Sequence, residues 1–428
     1  MPERKKNSLK RMPWWLWVAG IDLFLVAVTA SKHYPLAFPG KGWLVRHFNL
    51  AVEMNAGVWW SYIGLLAIAL LTYEIYSRRE DPERYAWMAL SIIFACLSLD
   101  ELGSIHERVG DWSHLLPYGV FFAVLIVYAL TVLFRDRRTR RSALFIGAGI
   151  FIFGLVALQE FIENTTVWPA WILGLRVAVE EGSELLAAFL IFCGIVPQRS
   201  RGGERSLRAI VPDPSAMENL SILIIAGWLV QTLAAMGLPS VIDITKKGNP
   251  LVWYPVTVFF ILFAASLQLA GGLAKRPKTR WALAVLFLLC SVGFATDPPR
   301  LLPLVGELIP EGYQPGAFFF SLTGLLFLIG AAIPDFWASK KHHIPLLFLL
   351  PLLTVLDNRP EIEFMVAGIM ALLAFLIVSR YGETAREKAK EKMAPDICWI
   401  SERPPELTPL ITRSDSPEMH STSMGDRN

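Results

Sequence analysis

The chain has 428 residues, of which 54% are hydrophobic and 18% charged, with a formal net charge of +3. The apolar residues come in continuous runs rather than at the spacing of one half-buried face, which excludes an ordinary soluble domain. The basic residues are scattered over short loops and form no stripe, which excludes a nucleic-acid partner, and the four cysteines lie far apart with no CxxC pattern, which excludes a zinc knuckle or disulfide framework.

A run of about 20 apolar residues crosses the hydrocarbon core as a helix, and in lipid only helices and closed barrels satisfy their own backbone. The runs here exceed barrel strands, so the expected fold is all-α: a polytopic transmembrane bundle of about twelve spans. The first half is expected to span the membrane at 14–31, 55–76, 85–103, 114–134, 142–162 and 170–195. The N-terminal run reads as an uncleaved first helix, since no small-residue cleavage site follows it and further spans do. The second half is expected at 220–239, 251–274, 280–296, 317–334, 343–357 and 363–380. The segment 343–357 carries Pro345 and Pro351, and a re-entrant pair in place of the last two spans would leave ten.

Lys and Arg gather in alternate loops, above all RDRRTRR (135–141), RSRGGERSLR (199–208) and KRPKTR (275–280). The positive-inside rule then puts these loops and both termini in the cytoplasm, N-in and C-in. Residues 196–219, with Gly202, Gly203, Pro212 and Pro214, read as a cytoplasmic linker between a six-helix half at 1–195 and another at 220–380, and 381–428 as a disordered tail. Short loops and few cysteines point to a bacterial inner membrane.

Ionisable side chains within spans are functional-site candidates, because each costs on the order of 2.5–3.5 kcal/mol at the centre of a helix on insertion scales. The first half concentrates them at its outer side. The third span ends in Asp100 and Glu101 and continues through Ser104, His106 and Glu107; the fifth carries Glu160 and Glu163; the sixth carries Arg176, Glu180, Glu181 and Glu184; Glu53 and Asn55 precede the second. On an unbroken helix Asp100, Ser104 and Glu107 share a stripe, and Glu180 with Glu184, like Glu160 with Asn164, stand at i, i+4. If Gly103 ends the helix, His106 and Glu107 lie on a loop that could fold over the bundle.

Such a nest of carboxylates must take up protons, basic partners or metal ions. Three explanations compete. The acids can be satisfied structurally, with Arg176 against Glu180 one turn away. One imidazole with several carboxylates from facing helices can bind zinc, iron or manganese, the ligands being His106, Asp100, Glu181 and Glu184, with Glu107 and Asp100 as the catalytic pair and Glu107 the base that activates a bound water. Or the acids can form a proton or cation pathway. Four histidines, His33, His47, His106 and His114, fall on the outer side, yet no HExxH or other fixed ligand spacing occurs. In the second half, Asp243, Asp297 and Asp357 each have a basic residue nearby and read as structural ion pairs.

The motifs VEMN, LSLDELGSIHE and VEEGSELL resemble those of a set of uncharacterised bacterial multi-pass proteins. A fainter similarity is to the CREST membrane hydrolases, whose Glu-Asn-Ser pattern looks similar to Glu53, Asn55 and Ser61, and whose zinc site uses residue types that Asp100, Ser104 and His106 supply. That resemblance implies a metal-dependent hydrolase. His342 and His343 are adjacent and cytoplasmic by charge bias, unlike the late histidine pair of CREST proteins. Two six-helix halves about a cytoplasmic linker also resemble the major facilitator transporters, although YSRREDPERYAW lacks their loop signature. The expectation is a metal-dependent hydrolase or transferase acting on membrane lipid or a lipid-linked substrate at the outer face. The alternative is a proton- or cation-coupled transporter.

Overall fold

The computed structural model describes residues 13–32, 41–50, 55–103, 112–163, 170–199 and 253–270, together with residues 210, 224, 284, 285, 287, 288, 291 and 292. All regular structure among the described residues is helical, in the order α1 (Trp14–Ser31), α2 (Lys41–Phe48), α3 (Ala56–Arg78), α4 (Arg84–Gly103), α5 (Trp112–Arg135), α6 (Arg140–Glu163), α7 (Ala170–Arg199) and α8 (Trp253–Ala270). Five of these, α1 and α3 to α6, are long and apolar enough to cross a membrane. α7 is longer than any of them but carries Arg176, Glu180, Glu181 and Glu184.

The six expected spans of the first half and the span at 251–274 coincide with helices to within a few residues. The short α2 was not expected; eight residues cover barely two turns, too few for a periodic pattern to register. The expected spans at 317–334, 343–357 and 363–380 and the tail lie outside the described residues. So do nearly all of the linker and of the spans at 220–239 and 280–296.

Local chemistry fixes the element ends. Asn55 caps α3: its Oδ1 accepts hydrogen bonds from the N–H groups of Gly57 (2.8 Å) and Val58 (3.0 Å), two of the donors a helix start leaves unsatisfied. Its Nδ2 donates to the Asn49 carbonyl. Thr29 Oγ1 accepts the Leu50 N–H at 3.0 Å, which ties the end of α1 to the end of α2. Between α5 and α6, Asp136 Oδ1 accepts the Arg138 N–H (2.9 Å) and the buried Thr139 hydroxyl donates to the Leu133 carbonyl (2.7 Å), two bonds that fasten the turn.

α3 pairs with α4, α4 with α5, α5 with α6, α6 with α7 and α7 with α3, so the five helices form a closed circuit; α1 lies against α7, and α8 touches α4. The α6–α7 pair is the most intimate. A Cβ on Gly149 would stand 2.6 Å from the Ala187 carbonyl oxygen, and one on Gly194 would stand 2.8 Å from that of Ser142. Helices in lipid gain little from hiding apolar surface, so close backbone approach over small residues is what holds such a pair. α3 is the central helix, with 67% of its apolar window buried, whereas only 11% of that of α5 is buried. Tyr62 on α3 shares a 2.6 Å hydrogen bond with Thr257, and Trp253 Nε1 donates to Ser98 at 3.2 Å, so α8 is fastened to both members of the α3–α4 pair.

Candidate functional site

One end of the bundle is fixed by a polar network that sequence reasoning missed. Glu74, fully buried near the end of α3, meets Arg78 at 2.8 Å one turn on and Arg199 Nε of α7 at 2.9 Å. Arg79 pairs with Glu83 at 3.0 Å, donates to Gln198 Oε1 at 3.1 Å and lies over the Trp87 ring. Gln198 in turn donates to Ser142 Oγ (2.9 Å) and to the Arg138 carbonyl (3.1 Å). These bonds bring the ends of α3, α4, α6 and α7 to one level, the basic end of the bundle. Glu83, in the α3–α4 connection, is held above the usual carboxylate range by burial and by Asp136 nearby, against the pull of Arg79.

That common level is a datum for depth. At a rise of about 1.5 Å per residue, Glu184 stands about 21 Å and Glu180 about 27 Å above Gln198, and Asp100 about 25 Å above Glu83. Glu160, counted from Ser142, stands at about 27 Å. The sequence-expected acids of α4, α6 and α7 thus occupy one layer, remote from the basic end along the helices.

Asp22 of α1 approaches this layer and was also missed by sequence reasoning. It accepts a 2.8 Å hydrogen bond from Trp60 Nε1 of α3 and sits beside the apolar contact of Leu25, Leu50 and Leu185. Its neighbour Val26 lies against Gly182 of α7. The signal for both Asp22 and Glu74 was in the sequence, an acid inside an apolar run. Each is a single acid rather than one of a cluster.

Helical stripes show where the α7 acids face. Ala187, Ile191 and Gly194 pack on α6, and the same stripe continues by steps of three and four to Glu184 and Glu180. Glu181 continues instead the stripe of Leu185, Ala188, Ile195 and Arg199, whose last member grips Glu74 of α3. On α6 the stripe of Ser142, Ile146 and Gly149 runs on through residues 153 and 156 to 160. The register set by the two glycines puts residue 160 opposite the turn of α7 that carries Glu180, and residue 163 opposite that of Arg176.

Asp100 and Glu101 are half-buried in the last described turns of α4. α4 and α7 each pack on α3 and are not a substantial pair with each other among the described helices. Asp100, Glu101, Arg176, Glu180, Glu181 and Glu184 all engage in polar or electrostatic contacts. Among the described residues no group of three or more His, Cys, Asp or Glu side chains converges closely enough to hold a metal ion. Glu53, Ser104, His106 and Glu107 lie outside the described residues. Asn55, expected in the polar group, has its side chain occupied in capping α3.

A family model described as "Domain of unknown function (DUF8692)" matches residues 15–196, less than half of the chain. The match takes in every candidate residue from Glu53 to Glu184 and stops just short of Gln198 and Arg199. No curated protein and no solved structure matches the chain.

Proposed function

We propose that this chain is a membrane-embedded, metal-dependent hydrolase or transferase that works on a lipid or lipid-linked substrate at the boundary remote from the basic end. The basic end faces the cytoplasm in this reading, so the reaction takes place at the outer, periplasmic side of a bacterial inner membrane. The observation that carries the proposal is the depth of the acidic layer. A transporter binds its cargo near the bilayer midplane, about 15 Å into the core; these acids stand well beyond it, where a lipid headgroup or its linkage to a carried group resides. Between Glu74 and this layer, α3, α4, α6 and α7 carry no Asp, Glu, Lys, Arg or His.

His106, Asp100, Glu181 and Glu184 are the proposed ligands of zinc, iron or manganese, and Glu107 the base that takes a proton from the attacking water. A bound metal would polarise the bond to be cleaved and lower the pKa of that water. Glu180, Glu160 and Glu163, with Arg176 between α6 and α7, would hold the ligands in place and balance their charge.

The test is the metal content of detergent-purified protein by elemental mass spectrometry, wild type beside His106→Ala/Glu184→Gln. We expect about one or two equivalents in the wild type and loss in the variant. Wild-type protein that stays metal-free after reconstitution with zinc, iron and manganese would sink the proposal.

A second reading, proton- or cation-coupled transport, is favoured by Asp22, an acid that the first span carries into the packed interior. Glu180, Glu181, Glu184 and Asp100 would then bind the coupling ion, and a Glu181→Gln variant in sealed vesicles should lose coupling while His106→Ala keeps it.

A further inference from the structure

The turn between α5 and α6 carries Arg135, Arg137, Arg138, Arg140 and Arg141, all exposed, against one acid, Asp136, whose Oδ1 accepts the Arg138 backbone N–H. Among the described residues none of the five forms an ion pair, whereas Arg78, Arg79 and Arg199 at the same end do. Arg140 Nε alone is used within the turn, on the Phe134 carbonyl at 3.3 Å. A segment held by Thr139 and Asp136 thus presents guanidiniums that no described acid pairs with.

What lies beneath the turn decides which anion it suits. On α6 the residues at steps of three and four from Arg141 are Leu144, Ala148, Phe151, Leu155, Leu158 and Ile162, and every one is exposed. On α5 the corresponding stripe back from Arg135 is Thr131, Tyr128, Val124 and Phe121, again all exposed. In a helix that crosses a membrane such stripes meet acyl chains. Each apolar stripe therefore ends in an exposed arginine at the level where a phosphate sits, and Arg137, Arg138 and Arg140 fill the turn between. A soluble anion would use the charges but not the stripes; a protein partner would need acids at the membrane surface.

We propose that the α5–α6 turn binds the headgroup of an anionic phospholipid, whose chains lie along the exposed faces of α5 and α6. The guanidinium fork suits a phosphodiester, which accepts two parallel N–H bonds, and clustered arginines at the end of a membrane span attract anionic lipid.

The full chain is exchanged into micelles that hold equal phosphatidylcholine and phosphatidylglycerol, and the lipid that co-purifies is measured by mass spectrometry. Wild type should retain phosphatidylglycerol several-fold over its supply, and the enrichment should collapse in high salt. R135Q/R137Q/R138Q/R141Q, which spares the Arg140 bond to the turn, should retain the two lipids equally. R201Q/R205Q/R208Q/K278Q, which removes the same charge elsewhere, should keep the enrichment. Absence of wild-type enrichment, its persistence in high salt, or equal loss in both glutamine sets overturns the proposal. So does displacement of the lipid by millimolar inorganic phosphate, which would mark a soluble-anion site.

Discussion

The two ends of the described bundle both carry buried charge, in opposite arrangements. At the basic end the buried Glu74 lies between Arg78 and Arg199, and Glu83 meets Arg79. At the far end α4 and α7 bring five acids, Asp100, Glu101, Glu180, Glu181 and Glu184, with Arg176 as the one basic residue on those two helices in that layer. Alternating signs make a fastening. The far layer, with five acids to one base on α4 and α7, has no such alternation.

The largest expected effect comes from breaking the fastening. Glu74→Gln leaves Arg199, only 12% exposed, without its carboxylate, and removal of one partner from a buried pair costs about 3–5 kcal/mol. Denaturant unfolding in detergent should show that loss. In metal-free protein Glu184→Gln should cost less than Glu74→Gln, because Glu184 is half-buried whereas Glu74 is fully buried. Equal destabilisation by the two substitutions would erase the distinction between the ends.

The smallest effect sharpens the picture of the basic end. Because the pKa of Glu83 is raised in the folded chain, its ionised form is less favoured there than in the unfolded chain. Stability should therefore fall as pH rises from the ordinary carboxylate range through the raised value, and recover on acidification. Glu83→Gln should remove that segment of the pH dependence. A constant difference between the thermal midpoints of wild type and variant from about pH 4 to 7 would contradict it.

Much of the membrane architecture was legible because spans are written in continuous apolar runs, and Trp14–Ser31 is a helix over the range read from its sequence. The acids of α4 and α7 were legible for the same reason, as exceptions to those runs. What did not show was pairing across the chain. Nothing local to Glu74 says that Arg199, 125 residues on, will meet it. Asn55 looked like part of the polar group because its residue type suits either role; only the positions of Gly57 and Val58 show that its oxygen caps a helix. The packing of α3 also runs against water-based intuition. It is the most enclosed of the five apolar helices, yet the exposed α5 is the more uniformly apolar, as expected where the solvent is lipid.

The intimacy of α6 and α7 bears on how the chain enters a membrane during synthesis. Four ionisable residues, Arg176, Glu180, Glu181 and Glu184, would oppose entry of α7 alone. Gly149 and Gly194 let the preceding helix shield two of them, Glu180 and Glu184, as it enters. In a glycosylation-mapping assay, residues 140–199 should integrate as a hairpin where 170–199 alone is translocated or left outside; efficient integration of α7 alone would refute this. Gly149→Leu should then lower the yield of correctly inserted chain before it alters anything in the finished protein, so that the contact acts first as an instruction for biogenesis.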